Sequence, residues 1–403
     1  MNSKPKCILP WTSLTLNPTG DIRQCISTKF SLGSVADGSS IGSIWSSPKM
    51  ASLRDSLSNG DLPNSCHICK ERERSGLLSR RELYNQTYGF GEDLFSKVFI
   101  EQNPPDIYFL DIALSDKCNM WCRMCCAEFS TTWRHWEKSL SPEFQVGGQY
   151  PKSQATPPNM NDKILDALPY MSNLRKICFK GGEPFIDDQL DPILEALISR
   201  GLAKKTKLSF VTNASVVPQS TFALLKKFSR VALSYSIDGT DEIHRYIRGK
   251  AYPLPKIREN ILKFRQLPGL KEEPVLPTIQ PYNLFNLGDL YQWCRDLQTR
   301  PTFYQVLVTP LFLHLKVLPE NLREQARISL QHLKSSIMDK DPVNSGFIDR
   351  ILFCLDPSSD YENVEANRAE HFRAFVKYTK EIDFLRGESV LDYIPEFQSL
   401  GVF

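Results

Sequence analysis

Three cysteines, Cys118, Cys122 and Cys125, stand with three and then two residues between them in the run DKCNMWCRMCC, and Cys126 follows at once. Thiolates bind soft metals, but a zinc site favours paired spacings and four protein ligands. Three ligands on an uneven spacing suit a cubane iron–sulfur cluster that keeps one iron open for a substrate or cofactor. Cys126 falls outside that pattern and reads as a packing residue. A second set, Cys7, Cys25, Cys66 and Cys69, lies near the N-terminus and includes a Cys-x-x-Cys pair. Such a pair is common in zinc ribbons. Cys178, Cys294 and Cys354 stand alone in apolar or helical surroundings and read as small buried hydrophobes.

The elements that must position these thiols follow from hydrophobic periodicity. Runs at 106–114, 175–181, 206–213, 230–239, 274–282 and 302–309 read as strands, and the segments 188–201, 220–229, 256–267 and 287–297 between them carry helical spacing. Alternation of this kind means right-handed crossovers and a parallel sheet. Six units are too few for a closed eight-stranded barrel, so the expected fold is α/β, a partial (β/α)6 TIM-like barrel with its chemistry at the C-terminal strand ends. The expected domains are a small cysteine-rich module at 1–100, the barrel at 101–310 and a mostly helical region at 311–403. The first is Ser- and Gly-rich and short of long helices, so a metal staple would serve it. Residues 133–161, with VGGQYPKSQATPPN, read as an insertion or mobile loop after the cysteine cluster.

Composition narrows the classes. With 49 basic and 46 acidic residues the net charge is +3, too balanced for a nucleic-acid footprint. The basic run at 70–81 reads as a solvated helix face. No apolar stretch is long enough to span a bilayer and no secretory signal is visible, so a cytoplasmic location is expected. Eleven cysteines in a reducing compartment point to metal or redox chemistry before disulfides.

The run CNMWCRMC resembles the Cys-x3-Cys-x2-Cys loop of the radical S-adenosylmethionine (SAM) superfamily, although Met124 stands where many members have an aromatic residue. The resemblance continues at the next strand end, where KGGEPF holds Gly181, Gly182, Glu183 and Pro184 about 55 residues further on. In that superfamily this turn holds the amino group of the cofactor's methionine. FVTNAS places Asn213 where members often have Thr-Asn-Gly, with Ala214 in place of the glycine. SYSIDGTDEIHRYIRG resembles the fifth-strand segment of peptide- and protein-modifying members, which implies Ser236 and Asp238 near the cofactor ribose and Arg248 on its carboxylate.

The resemblance implies a 4Fe-4S cluster on Cys118, Cys122 and Cys125, SAM as cofactor, and an electron donor such as flavodoxin or ferredoxin. The N-terminal segment resembles the SPASM and twitch modules of the same superfamily, with Pro10-Trp11 shortly after Cys7, a Pro-x-Gly run ending at Cys25, and IGSIWSSPKMASLR. That implies a second, auxiliary 4Fe-4S cluster on Cys7, Cys25, Cys66 and Cys69, with structural zinc as the alternative. Such modules usually follow the barrel, whereas here the segment precedes it.

The implied activity is reductive cleavage of SAM to a 5'-deoxyadenosyl radical that abstracts a substrate hydrogen, most readily to modify a peptide or protein. A small-molecule substrate is the second reading, and a zinc-binding scaffold is the non-enzymatic one. No separate leader-recognition domain is legible before the barrel, so substrate contacts are expected from 133–161 and from the C-terminal helices.

Overall fold

The computed structural model describes residues 7–28, 30–74, 79–87, 106–145, 159–359 and 367–403. Its centre is an eight-stranded sheet in the order β3-β2-β1-β4-β5-β6-β7-β8. The barrel strands β4 (Phe109–Ala113), β5 (Lys176–Lys180), β6 (Lys207–Thr212), β7 (Val231–Tyr235) and β8 (Leu270–Glu272) are all parallel. Beyond β7 the curvature continues through Val275, which bridges Tyr235 on one side and Pro301 on the other. A parallel pair follows, β9 (Thr278–Ile279) with β10 (Gln305–Val306). The apolar runs at 274–282 and 302–309 therefore carry only short strands, and β8 precedes them in a segment whose Lys-Glu-Glu sequence gave no strand signal.

Period-2 alternation explains which face each strand buries. Leu110, Ile112, Ile177, Phe179, Leu208, Phe210, Val231 and Leu233 are at most 1% exposed. They form the core beneath helices Leu190–Ser199 and Leu254–Phe264, with Phe185 stacked on Phe210 at 4.9 Å and tilted on Phe264 at 5.0 Å. The opposite, concave face carries Asp111, Cys178 and Ser209 in register. Cys294 and Cys354 are buried, whereas Cys178 is only partly covered on that inner face.

The N-terminal module joins the same sheet. Strand β1 (Ser13–Leu16) lies parallel beside β4, pairing Ser13 with Phe109 through to Leu16 with Ile112, and β2 (Asp21–Arg23) and β3 (Gly33–Ser34) extend it antiparallel. The module is thus docked edge-on to the strand that leads into the cysteine loop. Helix Pro48–Ser58, capped by Ser47 with Pro48 in its first turn, buries Met50, Leu53 and Leu57. The 70–81 run is less solvated than its charge suggests: Arg81 pairs with Glu73, and Arg80 lies 3.7 Å from Asp111 on the concave face, where Lys180 also reaches Asp111 at 3.3 Å.

In the C-terminal region helices Glu320–Ile337 and Pro342–Leu355 pack on each other, and helix Arg368–Arg386 runs to the barrel mouth. Of the insertion, helix Thr131–Trp136 and the turns to Phe144 are packed down, while most of VGGQYPKSQATPPN, at 146–158, lies outside the described residues. Among the described residues no helix is long and apolar enough to cross a membrane.

Candidate active site

The loop after β4 is fixed by the helix that follows it. Ser130 caps that helix and its hydroxyl donates to the Met120 carbonyl at 3.0 Å, while Thr132 Oγ1 donates to the Cys118 carbonyl at 2.7 Å. Trp133 Nε1 donates to the Cys122 carbonyl at 2.8 Å from a fully buried position. The loop's irregular backbone is therefore satisfied by side chains rather than by a ladder.

Cys118, Cys122 and Cys125 line one cavity of about 580 Å³ together with Gly181, Gly182, Asn213, Ser236 and Arg248. Glu183, Pro184 and Asp238 stand outside its lining. Burial pushes the Cys118 thiol up to about 12, with the neighbouring Cys122 adding to the effect, and Cys125 is raised by burial and by Cys122, Cys126 and Cys118. Cys122 is raised by burial and opposed by Arg248, whose Nη1 lies 3.7 Å from its sulfur. Three thiols that repel one another's charge in a dry loop are a poor place for free thiolates and a good place for a cationic metal group, which replaces the protons.

The N-terminal set shows the same signature. Cys7 is raised by burial and further by Cys25, Cys66 and Cys69, so the four sulfurs lie within electrostatic reach of one another. Cys25 is pushed up to about 12 by burial, against the lowering effect of Arg80. Among the described residues no three His, Cys, Asp or Glu side chains gather as closely as a single metal ion requires.

The Gly-Gly-Glu-Pro turn is explained by backbone packing. Gly181 and Gly182 have φ of +77° and +45°, and a Cβ at Gly182 would run into the Lys117 carbonyl. These glycines bring the end of β5 against the start of the cysteine loop, and Glu183 N–H donates to the Lys117 carbonyl at 2.7 Å. The Glu183 carboxylate, 1% exposed, accepts from Thr212 Oγ1 at 2.7 Å, Asn213 N–H at 2.6 Å and Phe185 N–H at 3.1 Å. Burial lifts its pKa to about 7 against those bonds. Its oxygens are turned into the β5–β6 junction, and Pro184 opens the buried turn that follows.

Ala214, where the resemblance expects a glycine, takes a left-handed conformation at φ +54°. Its neighbour Asn213 is held by Asn119 at 3.0 Å and accepts from Ser215 N–H at 2.9 Å. Asp238, fully buried, accepts from Thr278 N–H at 2.8 Å and pairs with Arg248 Nε at 2.7 Å. Asp238 thus aims Arg248 into the cavity from behind.

Sequence reasoning missed the C-terminal side of the site. Arg123, between two of the cysteines and 0% exposed, donates to the Tyr246 carbonyl at 2.8 Å, to Asp383 at 2.5 Å and to Glu388 at 2.7 Å, with its guanidinium 3.6 Å from the Tyr246 ring centre. Tyr378 Oη donates to the Arg123 carbonyl at 2.5 Å, and Arg386 donates to the Trp121 carbonyl while lying over that ring. The helix that carries these residues reads in sequence as an ordinary amphipathic one, and no local signal marks acids some 260 residues from their partner. The cavity wall away from the glycines is mostly apolar and aromatic, formed by Met124, Phe129, Phe144, Pro310, Phe312 and Tyr378, with Arg123, Cys126, Glu137 and Thr309 among them.

A parallel partial barrel with three cysteines at its first strand end defines the class, and comparison agrees. Residues 112–270 match the family model described as Radical SAM superfamily, and residues 7–70 match SPASM, an iron-sulfur cluster-binding domain. The protein belongs to the radical SAM superfamily of enzymes and carries an N-terminal SPASM domain, so its cofactors are a 4Fe-4S cluster, SAM and an auxiliary iron–sulfur cluster. No curated protein matches the chain. Similar solved structures include native anSMEcpe with bound AdoMet and Cp18Cys peptide, at 17% identity and TM-score 0.40 over 60% of this chain and 62% of that one. Another is Streptococcus suis SuiB bound to precursor peptide SuiA, at 14% identity and TM-score 0.38 over 69% of this chain and 59% of that one. The chain thus spans about three fifths of the length of the solved proteins it resembles.

Proposed function

We propose that the protein modifies a peptide or protein by radical chemistry, with Cys118, Cys122 and Cys125 holding the catalytic cluster and Cys7, Cys25, Cys66 and Cys69 the auxiliary one. The observation that carries this reading is the convergence of the three cysteines, the two glycines, Asn213, Ser236 and Arg248 on one cavity. When bound and given one electron by a donor such as flavodoxin or ferredoxin, cluster and SAM supply a 5'-deoxyadenosyl radical able to take a substrate hydrogen.

The chain's own residues bind, orient and keep water out. Arg248, aimed by Asp238, offers a guanidinium to the cofactor carboxylate. Gly181, Gly182, Asn213 and Ser236 present backbone and small polar groups to the rest of it. Glu183, Pro184 and Asp238 serve from behind, holding the strand ends that carry these groups. Trp133 and Met120 close the loop from water, which a reactive carbon radical requires.

The aromatic wall of Phe144, Phe312 and Tyr378 suits an apolar side chain presented by a peptide. It is built from the insertion and the C-terminal helix, the regions expected to meet substrate, and from the segment after β10. The experiment is to incubate the reduced holoenzyme with SAM and candidate peptides deuterated on apolar side chains. Deuterium in the 5'-deoxyadenosine and a mass change in the peptide support the proposal. SAM cleavage indifferent to every peptide but coupled to a small sugar or amino-acid derivative would refute it.

A further inference from the structure

Six of the charged side chains buried near the cysteine loop form a balanced set. Arg123, Arg248 and Arg386 have side chains 0, 9 and 3% exposed, and Asp238, Asp383 and Glu388 have side chains 0, 11 and 2% exposed. Arg248 pairs with Asp238 at 2.7 Å, Arg123 with Asp383 at 2.5 Å and Glu388 at 2.7 Å, and Arg386 with Glu388 at 3.5 Å. Half-exposed Lys250 also reaches Glu388, at 3.8 Å. Two of the three acids come from the end of the C-terminal helix and the turn after it. All three arginines touch the loop: Arg123 is part of it, Arg248 Nη1 lies 3.7 Å from the Cys122 sulfur, and Arg386 donates to the Trp121 carbonyl.

Asp383 and Arg386 also tie the loop to the helix Asp241–Arg248. Asp383 takes the Tyr246 hydroxyl at 2.9 Å, and Arg386 Nη1 donates to the Tyr246 carbonyl at 2.6 Å. One short C-terminal segment therefore grips both the cysteine loop and the helix that carries the cofactor-facing arginine.

We propose that Asp383, Arg386 and Glu388 belong to the cluster site, in which Asp383 and Glu388 are positioning residues that neutralise Arg123 and Arg386 and so keep the cluster's potential low. The proposal rests on Cys118, Cys122 and Cys125 being the cluster ligands. Reduction adds one electron, and hence one negative charge, to a cluster in a poorly solvated site. An uncompensated cation nearby stabilises the reduced form, because net charge and burial set iron–sulfur potentials. Removing one member of a buried pair leaves such a charge. Neutralising an acid raises the potential, and neutralising an arginine lowers it.

The test is a redox titration of the full-length, reconstituted enzyme with titanium(III) citrate, each cluster taking one electron, followed by the electron paramagnetic resonance of the reduced catalytic cluster. Asp383→Asn and Glu388→Gln should each raise the reduced-to-oxidised ratio at a fixed potential roughly tenfold, a shift of about 59 mV for one electron. Arg386→Met should shift it the opposite way. Phe384→Ala, at a neighbouring position that is 86% exposed, should leave it unchanged. A purely structural role would lower iron content and melting temperature while leaving the potential of the loaded fraction in place, and that result overturns the proposal. Should an acid variant fail to load iron, the sign of the Arg386→Met shift decides. Iron analysis of a Cys118→Ala/Cys122→Ala/Cys125→Ala variant tells failure of this proposal from failure of the ligand assignment: undiminished iron there refutes the assignment itself.

Discussion

The backbone N–H of Asn213 donates to the Glu183 carboxylate at 2.6 Å, joining the ends of β5 and β6 at the edge of the cofactor cavity. The superfamily resemblance gives this glutamate to the ligand, whereas here its two oxygens are occupied by three protein donors. Glu183→Gln leaves one buried donor facing an amide N–H₂ and should cost about 1–3 kcal/mol. The expected result is a lower melting temperature of the metal-free protein, with weaker SAM binding as a consequence. Unchanged apoprotein stability with lost SAM affinity would instead place the carboxylate on the cofactor.

Gly182→Ala should act on the other side of the same turn. Its φ of +45° and the Lys117 carbonyl leave no room for a Cβ, so the cysteine loop must shift. Iron retained per chain after reconstitution should fall well below wild type. Full retention would mean that the turn and the loop do not constrain each other.

These two turns show what was legible. The strands β4 to β7 could be placed because Leu110, Ile112, Phe179, Phe210 and their neighbours alternate with polar residues facing the concave side. The thiols and glycines could be placed because their spacing is local. The role of Glu183 could not, since a carboxylate's partners depend on how two strand ends meet. Nor could the pairing of β1 with β4, or of Arg123 with Asp383: each joins residues far apart in the chain through contacts that leave no periodic trace. Conversely, β8 reads Leu-Lys-Glu, with Lys271 and Glu272 exposed, so that short strand leaves no apolar signal.

His244 gives a pH dependence with a definite sign. Burial, reinforced by Arg248, depresses its pKa to about 3, and neither ring nitrogen has a hydrogen-bond partner. A base held neutral in the folded state contributes stability that is full above its ordinary value of about 6.5 and is lost as pH falls from there toward 3. His314, depressed by burial to about 4, acts in the same direction. At pH 5 each should have removed about 2 kcal/mol. Glu183, raised to about 7, gains stability over the same fall in pH, so the measure is the difference: melting of the apoprotein between pH 7.5 and 5 should show a loss about 2 kcal/mol smaller in His244→Leu than in wild type. An unchanged pH slope in that variant would mean that His244 is solvated or partnered.

Phe144 and Phe312 meet at 5.2 Å, and both meet Tyr378, at 5.2 and 5.0 Å. Opening this wall with Phe312→Ala should leave cleavage of SAM in the absence of substrate within about twofold, while raising the KM for a substrate peptide by roughly tenfold or more, the worth of one lost apolar contact. Steady-state kinetics with and without peptide separate the two effects. Equal loss of both would place Phe312 in the cofactor half of the cavity.

The central claim, that Cys118, Cys122 and Cys125 hold a cluster that cleaves SAM while the N-terminal cysteines hold another, is tested most directly by counting iron and sulfide after anaerobic reconstitution, then assaying 5'-deoxyadenosine after reduction. Wild type should hold about eight irons, the Cys118→Ala/Cys122→Ala/Cys125→Ala variant about four, and only wild type should form 5'-deoxyadenosine. Zinc in place of iron with no cleavage from competently reconstituted wild type, or cleavage that survives in the triple variant, would contradict the account.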